Sequence, residues 1–204
     1  MLCNTRCANC EPMMKRKIQP SLLISLVLLS SPLLAQTAPS AALDSKTDTR
    51  IELQQQLPQG KLLGKTKLTI WGFQIYNARL WVAPGFRTDQ IDNSAFALEL
   101  AYLRDFSSTD VAERSIEEMR RFASLSQAQT TAWTAELMRV IPNVKKGDRI
   151  MAVNLPGEGV RFLFNGKPNG EILDKQFSRL FFSIWLSPKT SEPKMREELL
   201  LGAM

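Results

Sequence analysis

The stretch Lys145–Leu186 constrains the fold more than any other part of the chain. It runs KKGDRIMAVNLPGEGVRFLFNGKPNGEI and later closes on SIWLSP. Two short apolar-rich runs flank the tight turn at Pro156-Gly157, which predicts a hairpin. The Asn165-Gly166 and Asn169-Gly170 pairs bracket what reads as a loop. Beyond it Phe177, Leu180, Phe181, Ile184 and Trp185 recur at helical spacing. A hairpin followed closely by a one-sided apolar helix has one economical solution, in which the helix lies on the sheet.

Upstream segments extend that plan. Ile51–Leu57 reads as a first edge strand, and Pro58-Gln59-Gly60 turns the chain. Lys61–Ile70 and Phe73–Val82 read as two strands meeting at Trp71-Gly72. In the second, Gln74, Tyr76, Ala78, Leu80 and Val82 share one face, and Ile75, Asn77, Arg79 and Trp81 share the other. Both faces are partly apolar, so this strand is expected to be covered on both sides. After the Pro84-Gly85 turn, Ala95–Arg104 alternates again, with Phe96, Leu98, Leu100, Tyr102 and Arg104 on one side. Ser107, Ser108 or Thr109 caps a helix whose first turn holds Asp110 and Glu113 and whose apolar face carries Val111, Ser115, Met119 and Phe122. A second helix over Ser126–Arg139 presents Trp133, Leu137 and Met138, and a short last helix covers Pro193–Leu201. Strands, a helical pair, a further hairpin and more helix give an α+β class with a mostly antiparallel sheet covered by helices.

Residues 1–35 stand apart from this plan. Lys15, Arg16 and Lys17 precede the apolar run Ser21–Leu34, and Ala35 and Ala38 suit a cleavage site, which is a secretory pattern. The apolar run falls short of the ~20 residues that cross a bilayer and is broken by Pro32. The expectation is a signal peptide over 1–35, read from Met1 or from Met13 or Met14, a flexible leader over 36–49, and one domain over 50–204. The protein is therefore expected to be periplasmic or secreted, with no stable membrane span after signal removal. Cys3, Cys7 and Cys10 all precede the apolar run, so neither a disulfide nor a thiolate metal site is expected in the domain. The chain has no histidine. Ser-His-Asp, Cys-His and His-ligated zinc chemistry are thereby excluded, and no cofactor or metal is expected. Four basic residues and one acidic residue lie in 1–35, leaving 22 basic against 19 acidic beyond it. That mild surplus, with no Lys/Arg stripe between aromatics in the sequence, argues against nucleic-acid binding.

Four blocks carry a resemblance. GKTKLTIWGFQIYNARLWV (Gly64–Val82), YLRDFSSTDVAERSIEEM (Tyr102–Met119), the KKGDRI and NLPGEGV hairpin, and IWL after the Asn-Gly turn are similar, in order and spacing, to the chalcone isomerase-like family of secreted bacterial proteins. The resemblance implies an open-faced sandwich. It also implies where the plant isomerases' polar set would fall, at Thr66, Tyr76, Val111, Glu118 and Ile184. None of those positions keeps the isomerase residue, so isomerase chemistry is not expected. Lipid-binding relatives within the family imply instead a non-catalytic binding role toward a small amphipathic or fatty-acid-like ligand. The ligand-binding residues expected for that role are Tyr102 and Arg104 at the end of one strand face, joined by Tyr76 from the neighbouring strand and by Lys67. The alternatives are an isomerase or lyase using the same four residues on an enone-like substrate, a partner-binding envelope protein, or, for Arg104, a brace to Asp105 or Asp110. The sequence names no protein partner.

Overall fold

A computed structural model describes residues 50–203. The signal and leader expected over 1–49, with the three cysteines, lie outside the described residues. Six strands, β1 (Lys61–Ile70), β2 (Phe73–Val82), β3 (Phe96–Tyr102), β4 (Arg149–Leu155), β5 (Gly159–Phe164) and β6 (Lys167–Ile172), form one antiparallel sheet in sequence order. Helix α1 (Ile51–Gln56) precedes them, α2 (Ser108–Met119) and α3 (Gln127–Val140) fall between β3 and β4, and α4 (Lys175–Leu186) and α5 (Pro193–Leu200) close the chain. The class is α+β, as the element pattern requires.

The helices α2 to α5 cover one face. Phe96, Leu98 and Leu100 of β3 and Phe162 of β5 meet Ile116, Leu137, Phe177, Phe181 and Leu199 in one continuous apolar core. In α2 Ser115 and Met119 of the expected face are buried, Ala112 and Ile116 join them, and Val111 and Phe122 pack at the margin of the core. Met138 of α3 is exposed, and Val140 takes the inward position expected of it. Side-chain caps fix where the helices begin. Ser107 with Asp110 and Ser126 with Gln129 form reciprocal capping boxes, and the Asp174 carboxylate accepts the Gln176 and Phe177 amides of α4. Helix α5 lies so close to β1 that a Cβ on Gly64 would sit 2.3 Å from the carbonyl oxygens of Glu198 and Leu199. Only glycine permits that approach.

Two expected elements differ. Ile51–Leu57 is helix α1 followed by a turn, not an edge strand. Leu53 and Leu57, one helical turn apart, both point to the sheet and seal Trp81, Met151, Val153 and Leu163, which no strand at the edge of the sheet could reach. The Asn-Gly-bracketed segment is not a loop but a two-residue turn, Asn165-Gly166 at φ +49° and +83°, followed by strand β6. Asn and Gly take the left-handed conformation that such a hairpin turn needs. Pro168 is tolerated in β6 because the strand is at the sheet edge, beside a register shift between Phe162 and Leu163.

The outer face of the sheet, under α1, holds a charge cluster. Glu99 of β3 is wholly buried, yet its carboxylate meets Arg50 at 2.7 and 2.9 Å, Arg79 at 3.1 Å and Arg149 at 2.6 Å. Arg149 also reaches Glu52 of α1 at 2.9 Å. Burial pushes the Glu99 carboxyl up, but the hydrogen bonds and charges of Arg50 and Arg149 outweigh it and hold the group below its ordinary range. A carboxyl depressed in the folded state contributes stability that is complete above the ordinary carboxylate range and is lost as pH falls through the folded value. Glu99→Gln is expected to cost about 3 kcal/mol in urea unfolding near neutral pH, since it removes the buried carboxylate charge that Arg50, Arg79 and Arg149 share. The same variant should flatten the decline in stability on the acid side of the ordinary carboxylate range, where the parent protonates Glu99.

Candidate functional site

Tyr76 and Tyr102 face each other across β2 and β3 on the helix side of the sheet. Their rings meet edge to face with centroids 6.1 Å apart, and Tyr102 is 4 % exposed. The Tyr76 hydroxyl accepts a 3.0 Å hydrogen bond from the Trp185 indole of α4. The Tyr102 hydroxyl has no hydrogen-bond partner among the described residues. Burial pushes both phenols well above their usual range, and the nearby carboxylates Glu192 and Glu118 push Tyr76 further in the same direction.

The other two expected residues are not in this layer. Strand β3 ends at Tyr102, so its alternation does not carry on to Arg104. Arg104 is exposed, its guanidinium 4.7 Å above the ring of Phe73, and no ion pair joins it to Asp105 or Asp110. Lys67 is exposed and donates to Gln74 at 3.2 Å. Tyr102 and Arg104 therefore do not close one pocket, and the charges beside the tyrosines are mainly acidic.

At the positions matched to the isomerase set, polar atoms are committed within the protein. Thr66 donates to Glu198, and Tyr76 accepts from Trp185. Glu118 accepts from Arg114 at 2.5 Å and from Ser191 at 2.9 Å. Val111 and Ile184 offer no polar side chain at all. These atoms do not converge on a point where an oxyanion would develop.

A cleft of about 390 Å³ opens at the opposite end of the sheet, where the β4–β5 turn meets the start of α4. Its floor is Phe96 and Phe182, packed edge to face at 4.6 Å, with Ile91 and Leu155 at its sides. Two polar residues are buried in it. Asn154 donates to the Ser94 carbonyl at 2.8 Å and accepts from the Ser178 hydroxyl at 2.8 Å, which fixes the amide's orientation and leaves the serine oxygen's lone pairs unused. Lys175 and Arg179, one helical turn apart on α4, stand at the rim without an ion pair among the described residues, and Asp92 and Glu158 stand across from them. The chemistry is that of a binding pocket, apolar below, polar and charged above. The sequence carried one signal for it. Ser178 interrupts an otherwise apolar helix face, and such a residue needs a buried partner. Among the described residues no group of three His, Cys, Asp or Glu side chains could hold a metal ion.

The two tyrosines separate by substitution. Tyr76→Phe strands the buried Trp185 indole and is expected to cost about 1–2 kcal/mol in thermal or urea unfolding. Tyr102→Phe removes a hydroxyl that bonds nothing, and its stability is expected to match the parent within about 0.5 kcal/mol.

A protein of Haemophilus influenzae is 26% identical over 139 residues, which is 68% of this chain and 66% of that relative's length. The crystal structure of an Arabidopsis thaliana fatty-acid binding protein superposes with a TM-score of 0.56 at 12% identity, covering 71% of this chain and 88% of that one. That likeness shows the open-sheet fold. The family match runs over residues 49–201, nearly the whole of the described domain, and the chain belongs to the chalcone isomerase-like family.

Proposed function

We propose that the domain is a non-catalytic binding protein for a small amphipathic, fatty-acid-like molecule in the cell envelope. The observation that carries this reading is the cleft over Phe96 and Phe182. Its volume lies within the ~300–1,000 Å³ range of small-molecule sites. An alkyl chain would displace water from the half-buried Ile91 and Leu155 above the closed Phe96–Phe182 floor, while a carboxylate head would meet Arg179 and Lys175 in place of solvent. Support comes also from the fatty-acid binding protein with the same fold and from the commitment of polar atoms at the isomerase positions. The envelope location rests on the Lys15–Ala38 secretory pattern.

A second reading is favoured by one observation. The Tyr102 hydroxyl, beside Tyr76 and with no hydrogen-bond partner among the described residues, would give a ligand entering the layer between sheet and helices a ready donor. The acidic neighbours Glu118 and Glu192 disfavour an anionic head there, whereas in the cleft Lys175 and Arg179 offset Asp92 and Glu158, so the cleft is preferred.

Native mass spectrometry and calorimetric titration with dodecanoate test both readings together. Arg179→Glu with Lys175→Glu is expected to weaken binding at least about tenfold, the worth of one charge-assisted contact, while Tyr102→Phe binds as the parent does. The reverse pattern would move the site to the tyrosine layer. Absence of binding in the parent, with bare protein recovered from the periplasm, would contradict the proposed function.

A further inference from the structure

The β1–β2 hairpin ends in the turn Trp71-Gly72, with Ile70 and Phe73 as the last paired residues. Both turn residues are left-handed, at φ +50° and +82°. The β5–β6 hairpin makes the same two-residue turn, at φ +49° and +83°, with Asn165-Gly166. Asparagine suits that conformation, whereas a tryptophan there is strained. The fold gains nothing from the indole in return, for Trp71 is 94% exposed. Phe73 beside it is 57% exposed, and Arg104 stacks on its ring. A strained aromatic that packs on nothing within its own domain has a use outside it.

The surroundings define that use. At the same end of the sheet stand Lys67, Arg104, Lys145, Lys146 and Lys167, all exposed and none in an ion pair among the described residues. Carboxylates stand among them and keep their charge, each held locally, with Glu52 beside Gly166 paired to Arg149. Asp105 accepts the Lys146 amide at 2.8 Å, Asp148 accepts the Lys145 amide and the Asn165 side chain at 2.8 Å, and Asp110 caps α2 through Ser107. With strands about 4.8 Å apart, the two hairpin tips are roughly 20 Å from each other, so this edge presents a broad cationic rim with two aromatics projecting at one side.

We propose that this edge docks on an anionic phospholipid bilayer, with Trp71 and Phe73 entering the headgroup region and the five cations meeting lipid phosphates. Tryptophan and phenylalanine beside Lys and Arg are the residues that favour a membrane interface. Each cation near an anionic surface adds attraction that salt screens. A second copy of the chain is disfavoured as the occupant, because two such edges would bring cations against cations. The proposal does not depend on the cleft and would stand if dodecanoate did not bind.

The test uses the protein's own fluorescence. Trp81, Trp133 and Trp185 are 6 %, 5 % and 6 % exposed, so Trp71 alone responds to a change of solvent at the surface. Vesicles of phosphatidylglycerol and phosphatidylcholine are expected to shift the emission to the blue and to protect it from acrylamide, and vesicles of phosphatidylcholine alone to do so far less. In co-sedimentation, Trp71→Asn, whose new side chain suits the turn, should partition about tenfold more weakly at undiminished thermal stability. Lys67→Glu with Arg104→Glu should remove the salt dependence along with most of the binding. An unchanged spectrum with both vesicle types would overturn the proposal. So would a blue shift that appears without lipid as protein concentration rises, with a dimer in sedimentation velocity, since that would make a second copy the occupant.

Discussion

A single carboxylate organises the outer half of this structure. Glu99 lies at the middle of β3, a strand buried on both faces, and burying its charge is tolerated only because Arg50, Arg79 and Arg149 converge on it. Those three come from the chain ahead of α1, from β2 and from β4, so one group joins three separate segments. Once it is satisfied, α1 can lie across the sheet with Leu53 and Leu57 inward. The face that an open sandwich would leave to water is then partly closed. Arg161 continues the pattern, binding Glu171 at 2.6 Å and Gln56 of α1 at 2.9 Å.

With both faces occupied, the chemistry left to the sheet lies at its two ends, and these differ in character. One end holds the cleft over Phe96 and Phe182, where α4 starts against the β4–β5 turn. The other carries the hairpin tips, with Trp71 and Phe73 exposed above a row of cations. Between them the helix-facing layer is densely aromatic. Phe177, Phe181 and Trp185 pack ring on ring from α4, and Trp185 locks Tyr76. The layer is stabilised by interdigitation of large side chains, which leaves the positions corresponding to isomerase catalysis filled by internal contacts.

Much of the fold was legible in the sequence. The ends of β1 and β2, Lys61–Ile70 and Phe73–Val82, follow from period-two alternation about Trp71-Gly72, and the cap of α2 falls on Ser107, one of the three candidates there, while Ser126, read as the start of α3, caps it. The two-faced apolarity of β2 foretold cover on both sides, though not that α1 would supply it. Ile51–Leu57 misled because two leucines four apart in a short segment satisfy no clear strand period, while their helical spacing becomes telling only against a sheet. The site was harder to read. Period-two counting placed Arg104 with Tyr102, but alternation holds only while the strand lasts, and β3 stops at Tyr102. The cleft and the cationic edge unite residues far apart in sequence, such as Phe96 with Phe182 and Lys67 with Lys167. Their placement at a common end of the sheet depends on the register of six strands, which no local pattern states.

The central functional claim is that an amphipathic ligand occupies the cleft at the β4–β5 end of the sheet. Amide chemical shifts of isotopically labelled protein, followed while dodecanoate is added, test it most directly. The account predicts saturable shifts at Phe96, Gly157, Ser178 and Phe182, with Tyr76, Tyr102 and Trp185 unmoved. Shifts centred on the tyrosine layer, or no saturable shifts anywhere, would contradict it.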